Sequence, residues 1–175
     1  MKRWALVCGV LLLSAVAASA QDYPKAEVFG GYSFLHVTDQ GASANANGGS
    51  GSISVNPSNW LGVVADFGGY HGGNDFGNAD LYTYMFGPKL AYRTGKITPF
   101  VQALFGGAHL SAGGFGGSAS ANAFAMALGG GVDWNATPHI GIRVIQAEYL
   151  MTKFNDGANN RQNNARVSAG VVFRF

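Results

Sequence analysis

The stretch that decides the fold is ARVSAGVVFRF, residues 165–175. Every second residue from Ala165 to Phe175 is apolar, whereas the alternate positions include Arg166 and Arg174. Because successive side chains of a β-strand point to opposite faces, this alternation predicts a strand with one apolar and one polar face. In a transmembrane β-barrel the apolar face contacts lipid and the other face lines the interior. We therefore expect a membrane-spanning strand here.

The same period of two recurs upstream in residues 81–93 and 123–134. Their outward positions are expected to be Tyr82, Tyr84, Phe86, Pro88, Leu90 and Tyr92, and Phe124, Met126, Leu128, Val132 and Trp134. Three segments are less regular. In residues 140–152 a bulge near Ile145 is needed to return Gln146 and Glu148 to the interior. The register of residues 100–110 stays open, and residues 51–55 form only a short, serine-rich strand.

The connections between these strands alternate between short and long, and together they join eight strands. Three short turns are expected at residues 56–59, 94–96 and 135–138, and four long loops at residues 38–51, 72–79, 111–122 and 155–164. This rhythm is typical of an all-β, eight-stranded, antiparallel up-and-down transmembrane barrel. Its short turns and both termini lie in the periplasm and its long loops lie outside the cell.

The first twenty residues resemble a secretory signal peptide. Lys2 and Arg3 precede an apolar run that ends in Ala-Ser-Ala at residues 18–20, which is the pattern of a signal-peptidase cleavage site. We expect residues 1–20 to be removed and residues 21–175 to form one barrel domain. Because Cys8 is the only cysteine, the mature domain would contain neither a disulfide nor a thiolate metal ligand.

The composition fits a membrane barrel better than a soluble domain. Charged residues make up 11% of the chain, against about 25% in ordinary soluble domains. Without Lys2 and Arg3, nine basic residues balance nine acidic ones, so no basic surface for a nucleic acid is expected. No segment after residue 20 has the roughly 20 consecutive apolar residues of a helical span. A closed barrel is the other structure that satisfies every backbone group in lipid.

A soluble, lipocalin-like binder in the periplasm is the alternative architecture. Such a barrel has its apolar face inside and its charged face in water, and this chain has too few charges to coat an exterior. The alternation places the charges in the lumen or at its rims. These charged residues are Glu27, Asp66, Lys89, Arg93, Asp133, Arg143, Glu148, Arg166 and Arg174.

The chain resembles the small outer-membrane β-barrel family typified by the transmembrane domain of OmpA and by OmpX. The resemblance rests on the terminal Phe175 with apolar residues at alternate positions, on the repeats at 30–32 and 68–70 (both Gly-Gly-Tyr), and on the loop rhythm. It implies that Val171, Phe173 and Phe175 form a C-terminal signal for the barrel-assembly machinery. Larger members carry a peptidoglycan-binding domain after the barrel, whereas this sequence stops at Phe175, so tethering to the cell wall is not expected.

Several functions fit such a barrel. Because the lumen of eight strands is just wide enough for side chains, the inward charges are expected to form a salt-bridge network that plugs it. A narrow channel or a small-ligand site is the alternative. A lipid-modifying enzyme is another, since His109 and Ser111 share a strand face, and in this alternative Glu148 is the group that orients the histidine. No metal site, cofactor or catalytic group is expected.

The interpretation we adopt is a monomeric, non-enzymatic barrel embedded in outer-membrane lipid. Its outer loops are polar, almost uncharged and rich in asparagine, which suits hydrogen bonding to a glycan or a protein ligand. A structural or surface-interaction role follows from this composition.

Overall fold

The computed structural model describes residues 23–39, 42–74, 77–114, 117–154 and 161–175, and these form a closed antiparallel barrel in which the strands pair in chain order. The expected signal peptide lies outside the described residues. In the described part of the chain, no helix has the length and apolar character needed to cross a membrane. The strands are β1 (Ala26–Asp39), β2 (Ala42–Val55), β3 (Leu61–Asn74), β4 (Gly77–Ala91), β5 (Ile97–Gly114), β6 (Gly117–Asn135), β7 (Ile140–Phe154) and β8 (Arg161–Arg174).

The two faces of the wall have opposite chemistry, as the alternation predicts. In β8, Val171 and Phe173 are 40% and 47% exposed on the outside, whereas Arg166 and Arg174 inside are 0% and 5% exposed. A soluble barrel of the lipocalin type would show the reverse arrangement. The alternative of a soluble periplasmic binder is therefore wrong.

The height of the apolar outer surface matches a membrane. In β6 the outward positions are free of polar side chains from Phe124 to Trp134, and in β8 from Ala165 to Phe175. Ten residue steps of about 3.3 Å, inclined by about 40°, span about 25 Å, which is the usual height of the lipid-facing band. The short turns and both ends of the barrel wall lie at one end of this band. We call it the periplasmic end and the opposite end the outer end.

Strand β7 contains the expected bulge. Its pairing with β6 shifts between Val132 and Asp133, and its pairing with β8 shifts between Arg143 and Gln146. Val144 and Ile145 both face outward, 58% and 47% exposed. The extra residue restores the parity of the strand, so the polar side chains that follow point inward.

The predicted long loops are wrong in extent, because the strands continue through most of them. Strand β2 runs from Ala42 instead of Gly51, β5 runs to Gly114, and β6 begins at Gly117. Backbone pairing needs no particular side chain, so these glycine-, serine- and alanine-rich segments extend the ladders. Above the membrane the outer face of the wall meets water, so the outward positions need not be apolar and the large apolar residues that mark a lipid-facing strand disappear.

The lumen is not polar throughout, which corrects the expectation of a polar interior. Its outer half is filled by the apolar side chains of Leu35, Leu104 and Leu150, all fully buried, together with small residues such as Ala108 and Ala125. The inward-facing charged residues of the described strands lie in the middle and in the periplasmic half.

Candidate functional site

The periplasmic half of the lumen contains a group of charges around Glu27 of β1. Lys89 of β4 donates a hydrogen bond to the Glu27 carboxylate. Arg93 donates from Nη2 to Oε1 of the same carboxylate at 3.2 Å. Arg174 of β8 lies further away, with its Nε 3.9 Å from Oε1. One buried carboxylate therefore faces three cations.

Asp133 and Arg143 form the second ion pair of this half. Arg143 donates from Nε and Nη2 to the two carboxylate oxygens of Asp133 at 2.8 and 3.2 Å. Its guanidinium carbon lies 4.3 Å from the ring centre of Phe29 and 4.4 Å from that of Phe100. The two inward rings hold the guanidinium between them, and such cation–π contacts strengthen when water is excluded.

Arg166 organises the middle of the lumen. It is fully buried, and it donates from Nη1 to Asp66 Oδ1 at 2.7 Å and to the Tyr70 hydroxyl at 3.2 Å. Its Nε donates to Glu148 Oε2 at 2.6 Å. One cation is therefore shared between two carboxylates, one on β3 and one on β7.

Two glutamines connect the charged groups into one network. Gln102 and Gln146 donate to the two oxygens of Glu148, each at 2.8 Å. Gln146 also accepts a hydrogen bond from Arg143 Nη1 at 2.6 Å. Sequence reasoning left the register of Gln102 open, and only the strand pairing places it inside the barrel. Gly129 faces Glu148 across the β6–β7 ladder, and a Cβ there would lie 2.2 Å from the Ala147 carbonyl oxygen and 2.7 Å from the glutamate Cγ, so glycine allows the two strands to approach closely beside this side chain.

The ion pairs cross the lumen. Arg166 of β8 reaches Asp66 of β3, and Glu27 of β1 reaches Lys89 of β4, although neither pair of strands is adjacent in the barrel. These two ion pairs therefore block the lumen at two different heights along the barrel axis.

A polar collar surrounds the outer end of the lipid-facing band. Counted from the periplasmic end of each strand, the collar residue is the first outward residue that is polar and is not a tyrosine. The collar residues are His36, Asn47, His71, Asp80, His109, Asn122, Lys153 and Asn163.

Three hairpins carry a histidine paired across the strands with an asparagine or aspartate. The Nδ1 atoms of His36 and His71 lie 2.7 Å from Asn45 Oδ1 and Asp80 Oδ1, and that of His109 lies 2.8 Å from Asn122 Oδ1. These polar partners escaped the sequence analysis. The signal that could have found them is a histidine and an Asn or Asp at equal distances from a hairpin tip.

The structure corrects the proposed link between Glu148 and His109. Glu148 is inside the lumen and bound to Arg166, whereas His109 is on the outer wall, paired in register with Asn122 and with the outward Tyr82. Ser111 Oγ does lie 3.3 Å from His109 Nε2. The three polar groups Ser111, His109 and Asn122 therefore form a short chain on the lipid side of the wall.

The C-terminal residues face outward at the periplasmic end. Val171, Phe173 and Phe175 are 40%, 47% and 51% exposed. Strand β8 pairs with β1 on one side and β7 on the other, so the residues closing the barrel are also part of its lipid surface. Within the described ranges, no group of three or more His, Cys, Asp or Glu residues is arranged to hold a metal ion.

Comparisons with known proteins agree with this architecture. A family model described as "Outer membrane protein beta-barrel domain" matches residues 5–175. No curated protein matches the sequence significantly.

Three solved structures illustrate the likeness of fold. Neisserial surface protein A (NspA) is 18% identical, with a TM-score of 0.75 over 89% of this chain and 100% of that one. Ail, the attachment invasion locus protein of Yersinia pestis, is 22% identical, with a TM-score of 0.65 over 87% and 99%. The N-terminal barrel domain of Pseudomonas aeruginosa OprF is 14% identical, with a TM-score of 0.58 over 88% and 100%. Since the family model covers almost the whole chain, this protein belongs to the outer membrane protein beta-barrel domain family and is an integral β-barrel of the outer membrane.

Proposed function

We propose that the protein is a monomeric, non-catalytic barrel that anchors a contact surface at the outer side of the membrane. The observation that carries this proposal is the filled lumen, which Glu27–Lys89 and Arg166–Asp66 cross at separate heights. A transport path would have to break these buried ion pairs, each at a cost of about 3–5 kcal/mol. The outer ends of the strands are then the surface left for binding.

The chemistry of the outer ends suits an uncharged partner. Segments 38–45, 72–80, 111–122 and 153–162 together contain four aspartates against Lys153 and Arg161. Ail has been crystallised with the heparin analogue sucrose octasulfate, a polyanion. A net negative outer end disfavours such a ligand here, whereas its asparagine, serine and backbone groups can bind a neutral glycan or a protein through hydrogen bonds.

A hydrolytic role receives less support from the geometry. His109 contacts both Ser111 and Asn122 through its two ring nitrogens. An acyl-transfer site, however, also needs free N–H groups to bind an oxyanion. From His109 to Gly113, β5 is paired with both β4 and β6, so its N–H groups are directed into the ladders. The histidine pairs of the other hairpins favour a shared structural role at the membrane surface.

The lipid partner and the assembly pathway follow from the outer surface. The apolar band is suited to outer-membrane lipid, and every strand is paired on both sides, which leaves no edge for strand addition and favours a monomer.

We assign Val171, Phe173 and Phe175 as the signal for the barrel-assembly machinery, because they project from the closing strand where a receptor can reach them.

Trimming the outer strand ends tests the contact surface. A variant in which residues 38–43, 73–78, 112–119 and 154–160 are each replaced by Asn-Gly removes most of the contact segments and keeps the whole wall up to the polar collar. Expressing cells should lose attachment to glycan- or protein-coated surfaces, while the trimmed barrel keeps its heat-dependent gel mobility. A matched control inserts Asn-Gly into the periplasmic turn after Lys96. Undiminished attachment by the trimmed variant would contradict the proposal.

A further inference from the structure

The two ends of the barrel differ in charge. Within the described residues, the side chains of the periplasmic half include six cations and two carboxylates. These are Lys25, Lys89, Arg93, Lys96, Arg143 and Arg174, with Glu27 and Asp133. The middle of the lumen has the opposite imbalance, since Arg166 faces both Asp66 and Glu148.

The excess positive charge is buried. Lys89, Arg143 and Arg174 are 1%, 3% and 5% exposed, and the side chain of Arg93 is 9% exposed. Three buried cations and the partly buried Arg93 thus share the two side-chain carboxylates. Buried charges are strongly disfavoured unless an opposite charge lies close by. An additional negative charge in this half of the lumen would therefore be electrostatically favourable.

Arg174 is the least satisfied of these cations. Its Nε lies 3.9 Å from Glu27 and its Nη2 lies 3.9 Å from Asp133, which is too far for a hydrogen bond. Its buried Nη2 has no hydrogen-bond partner in the described part of the protein, and the same is true of the Nε of Arg93. Both groups are guanidinium donors, whose planar geometry matches a carboxylate or a phosphate.

These two arginines line one cavity at the periplasmic end. The cavity has a volume of about 440 Å³ and is bordered by Thr98 and Asn135 as well as by the turn residues 136–138. Asn135 Oδ1 is buried beside it, also without a described partner. The cavity therefore combines a polar lining, two incompletely paired guanidinium groups and a local excess of positive charge.

We propose that this cavity is a binding site for a small oxyanion, a phosphate or carboxylate group, that enters from the periplasm. Arg174 and Arg93 would donate to the anion, and the Thr98 hydroxyl would add a neutral donor. The site lies at the opposite end from the proposed contact surface and does not depend on it. Its ligand chemistry follows from the charge excess, which favours an anion over a neutral molecule.

The test is an NMR titration of the arginine Nε–H signals of the refolded barrel in detergent micelles, at constant ionic strength. Inorganic phosphate and acetate are titrated separately, with chloride as the control anion. Saturable shifts at Arg93 and Arg174 with either oxyanion, absent with chloride, support the proposal and show which class binds. Equal or non-saturating responses to all three anions would show only a solvated, charged cavity and would overturn it.

Variants separate binding from general charge. Arg174→Gln should weaken oxyanion binding at least about tenfold, the value of a charged hydrogen bond, and Arg93→Gln provides a second test if the first variant folds poorly. Lys96→Gln removes the same charge from the exposed turn and should change affinity less than about twofold. Asp22 lies two residues before Pro24, which borders the cavity. Binding seen only in Asp22→Asn would mean that the chain supplies its own anion, which contradicts the proposal.

Discussion

Replacing Arg166 by methionine probes the network where it is most deeply buried. The substitution keeps an unbranched side chain of moderate volume but removes the only cation in contact with Asp66 and Glu148 in the described part of the lumen. Both carboxylates are nearly inaccessible to solvent, at 1% and 4% exposed. Glu148 keeps its two glutamine donors, whereas Asp66 loses the ion pair that holds it.

The expected loss is large because two charges become uncompensated. Unit charges about 4 Å apart interact by about 4 kcal/mol at the effective dielectric of a protein, and breaking one buried pair costs about 3–5 kcal/mol. We therefore expect the free energy of unfolding to fall by about 3–5 kcal/mol. This corresponds to roughly two to three and a half orders of magnitude in the folding equilibrium constant.

Urea unfolding of the barrel in phospholipid vesicles measures this loss. Gel mobility and the fluorescence of Trp60 and Trp134, which both face outward, report the folded fraction. The triple variant Arg166→Met, Asp66→Asn, Glu148→Gln removes the whole charged group and should recover most of the stability, since an uncharged core of similar volume is tolerated. A loss below about 1 kcal/mol for the single variant is the range of a solvated surface pair. It would refute the conclusion that the ion pairs of Arg166 are shielded from water.

Three further outcomes are expected. Phe175→Ala should reduce the amount of heat-modifiable barrel in the outer membrane more than Trp60→Ala does, although both side chains are large, apolar and more than half exposed; equal effects on assembly would argue against a terminal signal. Deletion of Val144 removes the bulge residue but leaves Arg143 and Glu148 an even number of residues apart, so both still face inward and a heat-modifiable folded band should form; its absence would mean that the bulge does more than correct the parity of β7. Ser111→Ala should leave the membrane lipid composition of expressing cells unchanged, and a lipid product that this variant abolishes would reveal an enzyme.

Much of the wall could be predicted from the sequence, because lipid imposes a strict rule on outward positions. In β8 and β4 every outward residue of the band is apolar or tyrosine, and the charge at Lys89 or Arg166 then fixes the opposite face. The bulge in β7 was predictable for the same reason, since Glu148 would otherwise contact lipid. Family, barrel architecture and membrane location all follow from this one constraint.

The outer ends of the strands and the filling of the lumen were harder to predict from the sequence. Outside the band the outward positions need not be apolar, so residues 42–47 alternate only alanine with serine and asparagine, and together with the glycines that follow they resemble a loop. Inside the barrel, the partners of a charge depend on strand order across the lumen. Arg166 and Asp66 are a hundred residues apart in sequence and meet only because β8 and β3 face each other. Which cation remains incompletely paired, here Arg174, is a property of that geometry alone.

The separation of the lumen into two chemically different parts has a further consequence for conductance. An ion that passed the charged half would still meet Leu35, Leu104 and Leu150, which are fully buried and offer no group to replace its hydration shell. Arg166→Met should therefore produce no current steps in a planar bilayer, even though it opens the network. Only its combination with Leu35→Ser and Leu150→Ser, which make the outer half both wider and polar, is expected to conduct. Stable currents from the Arg166 variant alone would mean that the charged network is the sole barrier and that the apolar half is permeable to water and ions.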